Sequence, residues 1–156
     1  MTHTITLSDW IGPHGSHQDC TMDVREAAAA MLDRVNTLLA VAYSDGILLD
    51  ANPHTGGLVA GTLFGGFRPG SAPIGAAKSK HKTGHAVDVF DPRRALAAWC
   101  AANLGQVAQI GLWCEDWRWT PSWCHFQDVP PGSGWRVYIP STSPALASAV
   151  PGQVVA

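Results

Sequence analysis

The segment Ser79-Lys80-His81-Lys82-Thr83-Gly84-His85-Ala86-Val87-Asp88-Val89-Phe90 joins a polar loop to the clearest strand signal in the chain. Residues 86–90 alternate in the period-two manner of a strand with one buried face. Gly84 and this strand pattern argue against a helix through His81 and His85, although those two residues are four apart. The segment therefore predicts a loop that carries His81, followed by a strand that carries Asp88.

Outward from this segment, the pattern predicts a small α+β domain. Apolar residues at helical spacings predict a helix over 24–43, preceded by a capping pair at Asp23 and Glu26. Asp91-Pro92 predicts the start of a second helix, which runs to about residue 103. Further short strands are predicted at 47–49, 110–114, 124–127 and 135–139. Two main helices and short strands joined mostly by loops favour a small antiparallel sheet.

Composition limits the class of protein. The chain has 156 residues, of which 46% are hydrophobic and 14% charged, so it is long and apolar enough for one folded domain. A formal net charge of -2 argues against a nucleic-acid binder that depends on phosphate contacts. No apolar run approaches the ~20 residues that span a bilayer, so no membrane insertion is expected. The oligomeric state stays open.

The two ends of the chain carry weaker signals. Residues 1–20 are polar and irregular and predict an N-terminal arm, and residues 141–156 predict a loose C-terminal tail of the single domain 1–156. The start MTHTITLSDWIGPHG lacks a basic segment followed by an apolar one, so we expect synthesis in the cytoplasm without a signal peptide. The four cysteines form no C-x-x-C pair, and free thiols are expected, with one disulfide left open.

Three side chains have the chemistry of metal ligands. His81 precedes the strand that carries Asp88, and His125 lies in the later predicted strand Trp123-Cys124-His125-Phe126. Two imidazoles and a carboxylate form a three-ligand set for Zn²⁺ that leaves the fourth position for water. The spacing alone also allows a simpler interpretation, since a histidine on a strand is more often an ordinary packed residue.

The motif resembles that of the zinc peptidases that include D-Ala-D-Ala carboxypeptidases and L-alanyl-D-glutamate endopeptidases. The family pattern is S-x-H-x-x-G-x-A-x-D, with an upstream arginine in a G-[YF]-R turn and a downstream W-x-H. This chain has SKHKTGHAVD, GGFRPG and WCHF, and the resemblance covers residues 22–140. The fixed positions of the central motif are all present, as Ser79, His81, Gly84, Ala86 and Asp88.

The resemblance implies a zinc-dependent peptidase that hydrolyses peptide bonds of bacterial peptidoglycan. Its Zn²⁺ ligands would be His81, Asp88 and His125, and its substrates would be peptidoglycan stem peptides. Together with the expected lack of a signal peptide, this favours a phage endolysin or a virion-associated lysin that acts on the cell wall. Endopeptidase and carboxypeptidase activity both stay open.

The resemblance also assigns substrate binding to Arg68 and Ser79, which would hold a carboxylate or carbonyl of the peptide. A planar guanidinium binds a carboxylate through two parallel hydrogen bonds, which agrees with this role. Two simpler alternatives stay open. Arg68 could form a salt bridge with Asp50 or Asp91, and Ser79 could be only a turn residue.

One position departs from the family pattern. Members usually carry a catalytic Glu or Asp three residues before the last histidine, where this chain has Ser122. The nearest acids are Glu115 and Asp116, and we prefer Glu115 as the general base because it would end a strand beside the metal. If neither acid reaches the site, the domain is a non-catalytic, zinc-stabilised binding or structural phage module, as the related hedgehog signalling domain illustrates.

Tryptophan is concentrated beside these acids. Four of the seven tryptophans lie between Trp113 and Trp123. Indole rings serve equally as core or as the wall of a substrate groove, so the sequence leaves both interpretations open.

Overall fold

The structure is a computed structural model that describes residues 3–140. Its helices are α1 (Leu7–Ile11), α2 (Met22–Ser44), α3 (Ala95–Ala102) and α4 (Leu104–Ile110). Its strands are β1 (Ala86–Phe90), β2 (Trp113–Glu115), β3 (Trp123–Gln127) and β4 (Val137–Tyr138). The predicted α+β class is confirmed, while the run 47–49 forms no strand.

The four strands form one mixed sheet in the order β1-β3-β2-β4. Strand β3 pairs antiparallel with both β1 and β2, as predicted, but β4 pairs parallel with β2. The expectation of a purely antiparallel sheet is therefore wrong at this edge. The reason is the chain path: β4 reverses direction after β3 and then lies beside β2 instead of β3, so it runs the same way as β2.

The alternation of side chains gives the sheet two unlike faces. Fully buried apolar residues of all three longer strands cover the face that lies on the core, namely Val87, Val89, Cys114, Cys124 and Phe126. The other face carries Asp88, His125 and Gln127, and Asp88 is directly paired with His125 in the β1–β3 register. Polar side chains are thus collected on one side of the sheet because successive strand residues point to opposite faces.

Helix α2 supplies the largest part of the core. Its buried residues follow the helical repeat as one stripe, made of Ala28, Met31, Leu32, Val35, Leu38, Leu39 and Ala42. The predicted helix over 24–43 is confirmed, with a correction to its cap. The Thr21 hydroxyl, and not Asp23, accepts the hydrogen bond from the backbone N–H of Val24.

The second predicted helix starts later than expected. Arg94 is its N-cap, and the Asp91 side chain accepts from the backbone N–H groups of Leu96 and Ala97 at 3.1 and 2.9 Å. Arg94 has a left-handed backbone with φ of 63°, so the helix begins only at Ala95. It ends at Ala102, and α4 follows at once.

The predicted N-terminal arm is wrong for the described residues from His3 onward. Thr6 and Asp9 form a reciprocal cap that starts α1. Trp10 is only 1% exposed and donates its indole N–H to the carbonyl of Ala86 at 2.8 Å. Burial of the apolar surface of Trp10 stabilises this segment in its packed position. The segment therefore belongs to the domain and is not a separate arm.

Three further predictions concern the C-terminal tail, the cysteines and membrane insertion. The predicted tail 141–156 lies outside the described residues. All four cysteines are buried free thiols, as expected. Within residues 3–140, none of the helices is both long and apolar enough to cross a membrane.

Gly84 lets the His81 loop approach α2. Its φ is +84°, and a Cβ at this position would lie 2.4 Å from the carbonyl oxygen of Val24. Only glycine meets both conditions without strain. The loop can therefore seat a 3-10 turn, Lys80–Thr83, against the helix and direct His81 toward β1.

Candidate metal centre

The structure brings the three predicted ligands together. His81 comes from the 3-10 turn, Asp88 from β1 and His125 from β3. All three are buried, and they form a group that could hold a metal ion. These three residues are called the metal group below. The β1–β3 register places Asp88 beside His125, and the loop that depends on Gly84 brings His81 to them.

Two of the three donor-atom separations match those around a small tetrahedral ion, and the third is a hydrogen-bond distance. His81 Nε2 lies 3.3 Å from His125 Nδ1 and 3.3 Å from Asp88 Oδ1. His125 Nδ1 lies 2.8 Å from Asp88 Oδ1. Ligands bound at the lengths typical of zinc would be roughly 3.3 Å apart in a tetrahedron. Two of the three separations already have this value.

The backbone sets the orientation of His81. Its Nδ1 lies 2.8 Å from the carbonyl oxygen of Gly66. A carbonyl only accepts, so Nδ1 carries the hydrogen and Nε2 presents its lone pair to Asp88 and His125. The GGFR segment named in the sequence thus supports a ligand through its main chain.

Two residues beside His125 were missed by sequence reasoning. Gln127 Oε1 lies 3.2 Å from His125 Nε2, and the Tyr138 hydroxyl donates to the same oxygen at 2.6 Å. Gln127 could have been found, because it lies two positions after His125 on a predicted strand and so shares its face. Tyr138 has no such signal, since only the parallel pairing of β4 brings it there.

Arg68 contacts the metal group instead of either acid considered from the sequence. Its Nη2 donates to Asp88 Oδ2 at 2.9 Å, and its Nε donates to the carbonyl of Phe64 at 2.7 Å. Asp50 pairs with Arg93, and Asp91 accepts from backbone N–H groups of α3. Arg68 therefore holds the oxygen of Asp88 that faces away from the histidines.

Ser79 lies close to Arg68, as its predicted role requires. A Cβ on Gly75 would lie 2.5 Å from Arg68 Nη1 and 3.8 Å from Ser79 Oγ, so both side chains border the same stretch of backbone. The substrate-binding role of this pair stays a prediction.

The two candidate bases occupy different surroundings. Trp113 is paired with Gln127, so alternation along β2 places Glu115 on the same face as His125. Burial raises the pKa of Glu115; His125 and Arg68 oppose this rise, while Asp88 and Asp116 add to it. The Glu115 carboxyl therefore interacts electrostatically with the metal group.

Asp116 is engaged elsewhere. Its carboxylate accepts from the Arg118 guanidinium at 3.0 Å through each oxygen and from the Arg118 backbone N–H at 2.9 Å. Burial alone would raise the pKa of Asp116, but these bonds outweigh it and lower the pKa. Of the two acids, Glu115 has the better placement for a proton carrier at this centre.

The pKa values of the three residues are shifted by burial and by their contacts with one another. Burial lowers the pKa of His81. Burial also disfavours the charged form of His125, but the Asp88 carboxylate outweighs it and raises the His125 pKa. Burial would raise the pKa of Asp88, yet the two imidazoles hold it well below its usual range. A proton on His125 and a metal ion thus compete for the same lone pairs.

The other histidine and tryptophan candidates have structural partners. His85 Nδ1 bonds Asp128 at 2.8 Å and is not in the metal group. The Arg136 guanidinium covers the Trp113 ring at 4.1 Å, and Trp117 packs against the core. The core interpretation is the better supported for Trp117, whereas Trp113 lies on the sheet face that carries Gln127 and Glu115.

No protein-family model matches this chain, and searches of curated proteins and of solved structures likewise find no match. The zinc peptidase resemblance therefore stays a prediction carried by the motif residues.

Proposed function

We propose that the protein is a zinc-dependent peptidase that cleaves peptide bonds of bacterial peptidoglycan. The observation that supports this most is the convergence of His81, Asp88 and His125 on a sheet face that also carries Glu115. Three buried ligands with a carboxyl group beside them are the usual parts of a hydrolytic metal site.

The donor set suits zinc in particular. Two imidazole nitrogens and one carboxylate oxygen are borderline ligands, and the separations near 3.3 Å agree with short bonds to a tetrahedral ion. A bound zinc would polarise the scissile carbonyl and make a water molecule more acidic.

Glu115 is the proposed general base. It takes a proton from the attacking water and gives that proton to the leaving amine nitrogen, so the carboxyl is regenerated in each cycle. A pKa raised by burial suits this exchange, because a carboxyl that titrates nearer neutral pH both accepts and donates readily.

Arg68 and Ser79 are proposed to orient the peptide. Two of the three guanidinium nitrogens of Arg68 already bond Asp88 and Phe64, which leaves Nη1, beside Gly75 and Ser79, for a substrate carboxylate or carbonyl. Peptidoglycan stem peptides offer both groups. A role as a phage endolysin or virion-associated lysin is proposed from the resemblance, and no contact among the described residues bears on it.

The test measures free amino groups released from purified peptidoglycan. The zinc-loaded protein should release them, a chelator should stop the release, and added Zn²⁺ should restore it. Glu115→Gln should lose at least about a hundredfold in kcat while it keeps its zinc. The matched control is Glu26→Gln, which changes the only other glutamate of the chain, an exposed residue of α2, and should be unaffected. Full activity of Glu115→Gln would remove Glu115 from the mechanism.

The ligand assignment has its own measurement. His81→Ala, Asp88→Ala and His125→Ala should each lose most of about one equivalent of bound zinc, whereas His85→Ala should keep it. Full zinc occupancy in all three ligand variants would refute the site.

A second candidate is a non-catalytic module in which the metal stabilises the fold. Ser122 favours it, because a hydroxyl occupies the position where the resembled family carries its acid. In that case the protein binds zinc and melts at a lower temperature with a chelator, but releases no amino groups from peptidoglycan.

A further inference from the structure

The hydrogen bonds of Gln127 have only one consistent direction. Its Nε2 donates to the carbonyl of Val129 at 2.7 Å, so its Oε1 faces His125 Nε2 at 3.2 Å. This oxygen can only accept. His125 Nε2 must therefore carry a hydrogen, since two facing lone pairs in a buried site would be costly.

The consequence lies at the opposite side of the imidazole ring. His125 Nδ1 faces Asp88 Oδ1 at 2.8 Å and His81 Nε2 at 3.3 Å. Asp88 Oδ1 also only accepts, so without a metal the ring carries a second hydrogen on Nδ1, and a bound metal would take the place of that hydrogen. A neutral imidazole holds one hydrogen, so a hydrogen kept on Nε2 leaves Nδ1 as the ligand atom. We propose that Gln127 is the positioning residue that makes His125 bind the metal through Nδ1. This inference rests on the proposed metal centre but not on peptide hydrolysis.

Tyr138 and Val129 hold Gln127 in place. The Tyr138 hydroxyl donates to Gln127 Oε1 at 2.6 Å, and its ring stands nearly perpendicular to the His125 ring, with centroids 6.3 Å apart. The Val129 bond sets which way the amide faces, whereas the Tyr138 bond only adds a donor to an oxygen already directed at His125. Removal of the Tyr138 hydroxyl should therefore disturb the metal less than removal of the Gln127 oxygen.

Two substitutions test whether Gln127 acts as a hydrogen-bond acceptor for His125 or only fills space beside it. Gln127→Met and Gln127→Glu both lose the bond to the Val129 carbonyl, but only Gln127→Met also loses the acceptor for His125. A purely structural role would make both variants equally defective. The control is Gln109→Met, which changes an exposed glutamine of α4.

The measurement is the dissociation constant for Zn²⁺ by competition with a chromophoric chelator, together with ¹⁵N NMR of the histidine rings in the zinc-loaded protein. Gln127→Met should bind zinc about 10–100-fold more weakly. Gln127→Glu, Tyr138→Phe and Gln109→Met should stay near the wild-type value. The wild-type spectrum should show His125 coordinated through Nδ1, with a slowly exchanging hydrogen on Nε2.

The inference is overturned by a Gln127→Met variant with wild-type zinc affinity, or by equal losses in Gln127→Met and Gln127→Glu. If Gln127→Met does not fold, the wild-type spectrum decides, because coordination through Nε2 would overturn the inference and a protected hydrogen on Nε2 would support it. A wild-type protein that binds no zinc refutes the metal centre as well. Zinc binding without peptidoglycan cleavage refutes only the peptidase.

Discussion

Replacing Arg68 by methionine should destabilise the metal-free protein strongly, because it leaves a buried charge without its partner. The side chains of Arg68 and Asp88 are only 12% and 9% exposed, and they are joined at 2.9 Å. Loss of one member of a buried ion pair typically costs about 3–5 kcal/mol. Asp88 keeps its contact with His125 through the other oxygen, so we expect a value near the lower end of that range.

The chain offers a matched control in Arg93, whose Nε lies at the same 2.9 Å from Asp50. Its side chain is 57% exposed, so water replaces the lost contact and Arg93→Met should change the free energy of unfolding little. The assay is urea unfolding of the metal-free variants, with the slope checked for two-state behaviour. Arg68→Lys should recover only part of the loss, because one ammonium cannot reproduce the planar fork that serves both Asp88 and Phe64. Equal losses in Arg68→Met and Arg93→Met would refute the argument from burial.

Four further predictions concern the base, the metal and the loop. Asp116→Asn should reduce kcat far less than Glu115→Gln; the reverse ranking in a peptidoglycan release assay would transfer the role to Asp116. As the pH rises, zinc binding should tighten by about tenfold per pH unit until His125 has lost its proton, and should then level off. The reason is that the His125 pKa is raised, so the metal must displace a proton from this residue. Zinc titrations that show no pH dependence would contradict this competition. Removal of zinc by a chelator should lower the melting temperature, since an ion present at 100 times its dissociation constant stabilises the folded state by about 2.7 kcal/mol; an unchanged transition in calorimetry would count against the site. Gly84→Ala should destabilise by more than about 1 kcal/mol because of its positive φ and the Val24 carbonyl, whereas Gly105→Ala, which meets nothing within 4 Å, should not; denaturant unfolding of the two variants compares them directly.

Local signals in the sequence were sufficient for the long elements. The alternation at 86–90 and the helical stripe of α2 predicted both elements correctly, because each depends on residues that are neighbours in the chain. The motif residues His81, Asp88 and His125 were also identified, and the structure brings them together.

Contacts between distant segments were not predictable in this way. The N-terminal residues gave no periodic pattern, yet Trp10 packs in the hydrophobic core, where its indole N–H donates to a backbone carbonyl of β1. Similarly, Asp91-Pro92 predicted a helix start, but the left-handed Arg94 is the N-cap and the helix begins only at Ala95, a delay that propensity does not specify.

By itself the sequence determined which side chains are available for chemistry, since residue types and the period of a strand or helix can be read along the chain. Only the tertiary structure decided what each of them contacts. Arg68 bonds Asp88 instead of Asp50 or Asp91, and Tyr138 reaches Gln127 because β4 lies parallel to β2. Such pairings depend on the order and register of strands that are far apart along the chain, and the energy that selects them comes from burial of the whole core, which no local pattern records.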